Sequence, residues 1–176
     1  HLPLDQRKNK TRHRLLKIRA KKVLMATGSL ERPLIFDNND RPGILLSSAI
    51  EKYVNFFGVA CGEKNVLFTN NDSAYETAID YFKRGINIQA IVDIRNEANG
   101  HFPKKARELG ITILNGYEIS NTFGRLRVRE VQLKKLSNDN INTSKSSITI
   151  KCDTLCVSGG WTPTVHLFTQ SKGKLK

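Results

Sequence analysis

The stretch Lys22-Val23-Leu24-Met25-Ala26-Thr27-Gly28, followed by Glu31-Arg32-Pro33, decides how this chain is organised. A short apolar run that stops at a small residue, a hydroxyl and a glycine reads as a buried strand that delivers bare backbone to something approaching closely. The pattern returns near the other end, where Asp153-Thr154-Leu155-Cys156-Val157 runs into Ser158-Gly159-Gly160 and then Thr162-Pro163. Two such endings bracket most of the chain. That is the layout of one domain interrupted by another.

Between the brackets the hydrophobic period alternates. Asn38–Gly43 is a turn or linker by its Asn, Asp, Pro and Gly content. Ser47 or Ser48 then caps a helix to Phe57, with Ile50, Val54 and Phe57 on one stripe and Gly58 as its stop. Asn65–Thr69 reads as a strand and Asn70-Asn71-Asp72 as a turn. Ser73 and Glu76 have capping-box spacing for a helix to Arg84, with Ala74, Ala78, Ile79 and Phe82 facing inward. A strand at 87–93, a helix at 102–109 and a strand at 111–114 follow. Strand, helix, strand, helix, strand with short connections is the signature of a parallel sheet. After Gly116 the period becomes two, so 117–122, 126–136 and 147–151 read as antiparallel strands, with a polar, exposed and mobile loop at 137–146. The strand 153–157 then returns the chain to the first domain. His13–Arg19 and Lys22–Ala26 are the expected strands of the leading segment.

The 176 residues carry a net charge of +13, and its location matters more than its size. Residues 1–22 contribute +8 and residues 172–176 contribute +3, so the body of the chain is nearly neutral. Basic arms bind phosphate in some proteins, but no helix here carries a basic face interleaved with aromatic residues. The charge therefore reads as solvated ends, and nucleic acid is not an expected partner. No apolar run approaches the roughly 18 residues of a membrane span. Beginning at His1, with no signal-peptide pattern, the chain reads as a piece of a longer polypeptide. Cys61, Cys152 and Cys156 offer neither an even disulfide framework nor a C-x-x-C pair. They read as core thiols of a reducing cytoplasm, with Cys152 and Cys156 on one strand face.

Candidate chemistry is confined to strand ends. A dinucleotide-binding turn needs glycines where the pyrophosphate meets a helix N-terminus. The equivalent segment here, Thr69-Asn70-Asn71-Asp72-Ser73-Ala74, has none. Asp72 places a carboxylate where the helix dipole attracts an anion. Asp93, about 20 residues on from the turn, either holds an adenosine ribose or serves as a strand-end turn residue. The central unit is therefore expected to be a degenerate dinucleotide fold. Ala26, Thr27 and Gly28, with Gly159 and Gly160, are the expected cofactor-contacting residues, since both motifs would close over one crevice. Glu31 and Arg32 pair with each other, contact a cofactor or face a partner. Trp161 packs, or stacks on a cofactor or partner. His1, His13, His101 and His166 have no metal-ligand spacing, and no nucleophile motif is present, so neither a metal site nor a catalytic residue is assigned.

The order Ala-Thr-Gly, an inserted nucleotide-type domain, then Gly-Gly-x-x-Pro resembles the flavoproteins with two dinucleotide-binding domains, the group of glutathione reductase. The wording of Ala26–Leu34, Asn39–Gly43, Phe68–Tyr75 and Val157–Leu167 is similar to the alpha-subunit family of heterotetrameric sarcosine oxidases. The rarest shared feature is the glycine-free Thr-Asn-Asn-Asp-Ser-Ala-Tyr turn. This resemblance implies an α/β fold: a three-layer Rossmann-like (FAD/NAD(P)-binding) domain with a parallel sheet and an antiparallel β-meander, inserted in a partial second nucleotide-binding domain. The implied boundaries are 1–43 and 153–176 for the incomplete outer domain and 44–152 for the inserted one. It implies oxidative demethylation of sarcosine, with oxygen reduced to hydrogen peroxide and the one-carbon unit passed to tetrahydrofolate. It implies NAD in the alpha subunit, FAD and FMN largely outside this segment, and beta, gamma and delta partner subunits. The segment would then supply a wall of the NAD crevice and an assembly scaffold. A reductase subunit of another amine or opine dehydrogenase is the alternative on the same scaffold. A basic nucleic-acid-binding module built on residues 7–22 is the alternative of a different class.

Overall fold

The computed structural model describes residues 15–136 and 147–174. It divides into two compact units, Ser29–Thr164 and a second unit made of residues 1–28 with 165–176. In the second unit, residues 15–28 have no regular secondary structure and α4 spans His166–Gln170. The expected strand at Lys22–Ala26 is not formed, and Val23 and Leu24 are exposed. The same holds for the described part of the expected strand at 13–19. A strand is held by a hydrogen-bonded neighbour, and among the described residues none pairs with either run. The first residues of the basic arm, and the loop expected at 137–146, lie outside the described residues.

The unit Ser29–Thr164 holds the α/β fold. Its strands are β1 (Ser29–Glu31), β2 (Ile44–Leu46), β3 (Asn65–Thr69), β4 (Ile88–Asp93), β5 (Ile113–Asn115), β6 (Tyr117–Phe123), β7 (Glu130–Lys135), β8 (Ser147–Lys151), β9 (Thr154–Ser158) and β10 (Trp161–Pro163). Its helices are α1 (Ser47–Phe57), α2 (Ser73–Lys83) and α3 (His101–Glu108). A five-stranded parallel sheet runs in the order β2-β9-β3-β4-β5, the antiparallel meander in the order β6-β7-β8, and β1 and β10 form a two-stranded ribbon.

Alternation along the strands builds the layers. Leu67, Ile91 and Cys156 point to a core shared with Ile50, Val54, Ala74, Ala78 and Ala106 of the helices. Val66, Phe68, Val92, Leu155 and Val157 point the other way, to a core with Ile119, Val131 and Leu133 of the meander. Every residue of β3 and β9 is buried, because each strand has a layer on both faces. The result is three layers: helices, parallel sheet and meander.

Several expectations are corrected here. The strand expected to return to the outer domain is β9, and it runs between β2 and β3 in the central sheet. Burial explains this, since Thr154–Ser158 is apolar on both faces and only a central position covers both. Cys152 and Cys156 lie in opposite cores, because the chain bends at Cys152-Asp153 between β8 and β9. Phe82 is 43% exposed, while Tyr75 and Tyr81 take the inward positions of α2. The capping box is not used: Asp72 is the cap residue of α2, with no side-chain cap. Neither Ser47 nor Ser48 caps α1, whose Ser48 N–H donates instead to Glu31 Oε2 at 2.7 Å. Gly58 ends α1 as expected, in the left-handed conformation, with its N–H on the Tyr53 carbonyl.

Candidate functional site

The strand order reverses between β3 and β9, since the chain leaves β3 towards β4 on one side while β9 lies on the other. In open parallel sheets, ligands bind outside the carboxyl ends of the strands at this point. Here those ends are Thr69 and Ser158, which face each other in register. The residues beyond them are the glycine-free turn and the Gly159-Gly160 pair.

Side chains of the turn bridge the mouth. Thr69 Oγ1 accepts the Asn71 N–H at 3.1 Å, which fixes the turn. Asn71 Nδ2 then reaches Ser158 Oγ at 3.1 Å and the Ser158 carbonyl at 3.3 Å. Ser73 Oγ donates to Asn71 Oδ1 at 2.7 Å and accepts the Trp161 indole N–H at 3.0 Å. Asn70 Nδ2 makes a longer contact, 3.5 Å, to the Gly159 carbonyl.

The neighbouring strand end is equally self-contained. Asp93 is fully buried. Its Oδ1 accepts the Arg95 backbone N–H at 2.9 Å and Arg95 Nε at 3.0 Å. Its Oδ2 accepts Arg95 Nη2 and the Tyr75 hydroxyl, both at 2.7 Å. Arg95 Nη1 also forms an ion pair with Asp72 Oδ1 at 2.7 Å. Two carboxylates thus share one guanidinium, and the cluster keeps a net negative charge. Burial, then the bond to Asp93, holds the Tyr75 hydroxyl far above the usual tyrosine range. The same carboxylate, joined by Asp72, raises Arg95 further. A Cβ on Gly100 would collide with the Asp72 carboxylate, so the loop before α3 closes over it.

The five expected contact residues differ in their surroundings. Ala26, Thr27 and Gly28 are exposed, and Gly28 has φ +69° with open space where a Cβ would project. Gly160 is similar, with φ +95° and nothing within 4 Å of that position. Gly159 is not open: a Cβ there would lie 2.8 Å from the Pro33 carbonyl oxygen and 3.0 Å from that of Arg32. Its N–H donates to the Arg32 carbonyl at 2.6 Å, so its small size serves the ribbon. Open backbone in a conformation that favours glycine, at Gly28 and Gly160, suits close approach of a cofactor. The Asn-Asn-Asp-Ser turn does not suit a pyrophosphate, since Asn71 fills the mouth and Asp72 repels the charge. Glu31 is neither paired with Arg32 nor free, but sits at the start of α1.

Arg95 and the linked trio Asn71, Ser73 and Trp161 were not singled out as partners by sequence reading. An arginine two residues after a strand-end aspartate is a signal for the first pair. Nothing in the spacing of 73 and 161 joins the second. Among the described residues, no group of three or more His, Cys, Asp or Glu is gathered that could hold a metal ion.

Comparison with known proteins fits this geometry. The chain is 34% identical over 175 residues, 99% of its length, to sarcosine oxidase subunit alpha of Corynebacterium sp. (strain U-96). It is 36% identical over 169 residues, 94% of its length, to the subunit of the same name from Corynebacterium sp. (strain P-1). This chain is similar to a part of sarcosine oxidase subunit alpha. It spans 18% and 17% of the length of those two relatives. No protein-family model matches it. Among solved structures, T. acidophilum thioredoxin reductase aligns with a TM-score of 0.63 at 14% identity, over 85% of this chain and 47% of that one. The ferredoxin reductase of Rhodopseudomonas palustris aligns with a TM-score of 0.59 at 18% identity, over 86% and 37%. The fold is therefore one shared with these two reductases.

Proposed function

We propose that this chain is a segment of an oxidoreductase subunit of the sarcosine oxidase type. The observation that carries the reading is the sequence match to sarcosine oxidase subunit alpha along 99% of the chain. In the assembled enzyme, sarcosine is oxidatively demethylated to glycine, oxygen becomes hydrogen peroxide and the one-carbon unit passes to tetrahydrofolate. The alpha subunit holds NAD and works with beta, gamma and delta subunits, with FAD and FMN bound largely outside this segment. Bound NAD would supply a nicotinamide dinucleotide to the alpha subunit.

Within the segment, Ala26, Thr27 and Gly28 in one unit and Gly159 and Gly160 in the other are the proposed cofactor-contacting residues. Gly28 and Gly160 offer the open backbone that such contacts need. The turn 70–73 is not a dinucleotide site, because its side chains are bonded across the switch point and Asp72 opposes a phosphate there. The inserted unit serves instead as a scaffold for assembly. A cytoplasmic location accords with this role, and no described helix is long and apolar enough to cross a membrane.

The test uses the full-length subunit assembled with its partners. Sarcosine-dependent peroxide formation is expected, and Gly28→Trp is expected to lose bound NAD on gel filtration. Turnover of opines without sarcosine oxidation would replace the activity reading. Undiminished NAD in the Gly28→Trp enzyme would remove Gly28 from the contact set.

A further inference from the structure

We propose that Asn71, Ser73 and Trp161 are positioning residues that set the backbone of Ser158-Gly159-Gly160. The proposal rests on the cofactor-contacting role given above to Gly159 and Gly160. Two consecutive glycines have the least intrinsic preference of any dipeptide, so their conformation must be imposed by neighbours. Here it is imposed from two sides.

On one side the restraint is backbone to backbone. Arg32 N–H donates to the Gly160 carbonyl at 2.8 Å, and Gly159 N–H donates to the Arg32 carbonyl at 2.6 Å. On the other side it is a relay of side chains. The Trp161 indole N–H donates to Ser73 Oγ, the Ser73 hydroxyl donates to Asn71 Oδ1, and Asn71 Nδ2 donates to Ser158. Every donor in that series has an acceptor, and each direction is fixed by chemistry. An indole nitrogen only donates, and a serine hydroxyl has one proton to give. The relay begins at Trp161 and ends at Ser158, so it spans the glycine pair from both flanks. Its middle members come from the turn that a dinucleotide would otherwise occupy. Side chains without a phosphate to avoid are free to grip the opposite strand end.

The relay is independent of the ion-pair cluster. Asp72 lies in the same turn but pairs with Arg95, which bonds to Asp93 and not towards β9. Removing a relay member should therefore loosen the ribbon without disturbing β4. Trp161 is 47% exposed, so its ring is not locked by burial alone and the N–H bond is its main orientational restraint.

The experiment compares wild type with Asn71→Ala, Ser73→Ala and Trp161→Phe in the full-length subunit assembled with its partners. Residue-resolved hydrogen exchange reads the Arg32 and Gly159 amides, with the Ile91 amide in β4 as internal reference. Retained NAD is measured in parallel by titration and gel filtration. Asn71→Ala and Ser73→Ala should raise exchange at Arg32 and Gly159 about fivefold, leave Ile91 unchanged, and weaken NAD retention about fivefold, since one hydrogen bond contributes about 1 kcal/mol. Trp161→Phe keeps a ring in place and removes only the N–H, so about a threefold effect is expected. Should Asn71→Ala fail to assemble, Trp161→Phe carries the test. Unchanged exchange at Arg32 and Gly159 overturns the positioning role. Faster exchange with unchanged NAD retention upholds that role and overturns the cofactor contact proposed for the two glycines. Equal acceleration at Ile91 also overturns the positioning role, because the effect would then be loss of the fold.

Discussion

Replacing Arg95 with methionine tests whether the Asp93 cluster is an internal structural device. Asp93 is fully buried and accepts four hydrogen bonds, two of them from the guanidinium at 3.0 and 2.7 Å. Methionine retains the backbone N–H and leaves the Tyr75 hydroxyl in place, so the carboxylate keeps two neutral donors and loses its counter-charge. Removing one partner of a buried pair costs about 3–5 kcal/mol. The Arg95 side chain is 33% exposed, so water enters the vacated space and the lower end, about 3 kcal/mol, is expected. The Asp72 ion pair lies nearer the surface, with its side chain 36% exposed, and adds little.

For a domain of this size, about 3 kcal/mol corresponds to a fall of roughly 6–12 °C in Tm. Urea denaturation of the full chain followed by circular dichroism gives the free energy. The double variant Asp93→Asn with Arg95→Met removes the charge as well as its partner and should recover most of the loss. A deficit under about 1 kcal/mol would refute the reasoning. So would a double variant as unstable as the sum of the two single ones.

Tyr75 and Tyr81 are held above the usual tyrosine range, both first by burial and Tyr75 then by its bond to Asp93. Unfolded tyrosines ionise near 10, so above that pH the unfolded chain binds fewer protons and stability falls as pH rises. Absorbance at 295 nm should show these two hydroxyls ionising only with unfolding, and complete ionisation of all four tyrosines in a folded chain would count against it. Burial pushes the Cys152 and Cys156 thiols up to about 12. Maleimide at pH 8 should therefore modify half-buried Cys61 first in the native chain, and equal rates by peptide mapping would contradict the burial. Gly159→Ala brings a Cβ to 2.8 Å from a backbone oxygen that cannot swing away. A loss of about 1–3 kcal/mol in urea denaturation is expected, and wild-type stability would show that the ribbon does not pack there.

The parallel sheet and its helices were readable because their hydrophobic periods are complete. Asn65–Thr69 has a layer on each face, and Ile50 and Val54 form one helical stripe. The short strands β1, β2 and β10 were not, since three residues carry no period. Lys22–Ala26 misled for the opposite reason. Its sequence has strand character, but pairing is a property of two segments and no described segment pairs with it. At the site, the absence of glycine from the turn is legible in the sequence itself. The use made of Asn71 and Ser73 instead depends on Ser158 and Trp161, more than 80 residues away in sequence. A sequence pattern records which groups are available, and only the fold decides which of them meet.

Asp93 shows how the fold chooses the partners of a strand-end carboxylate. A carboxylate at the end of the second strand could hold a ribose hydroxyl, yet here every one of its bonds is internal. To bind a ribose it would have to release Arg95, leaving the guanidinium with Asp72 alone and the Tyr75 hydroxyl without its acceptor. A hydroxyl returns about 1.5–3 kcal/mol for its bond to a charged group. That is at best comparable to what breaking the buried pair costs, and the turn offers no phosphate contact to make up the difference. The same internal bonds that oppose a nucleotide also keep the strand ends in order without one. The unit Ser29–Thr164 keeps its sheet through burial of β3 and β9 on both faces, and the groups at its strand ends are part of its own framework.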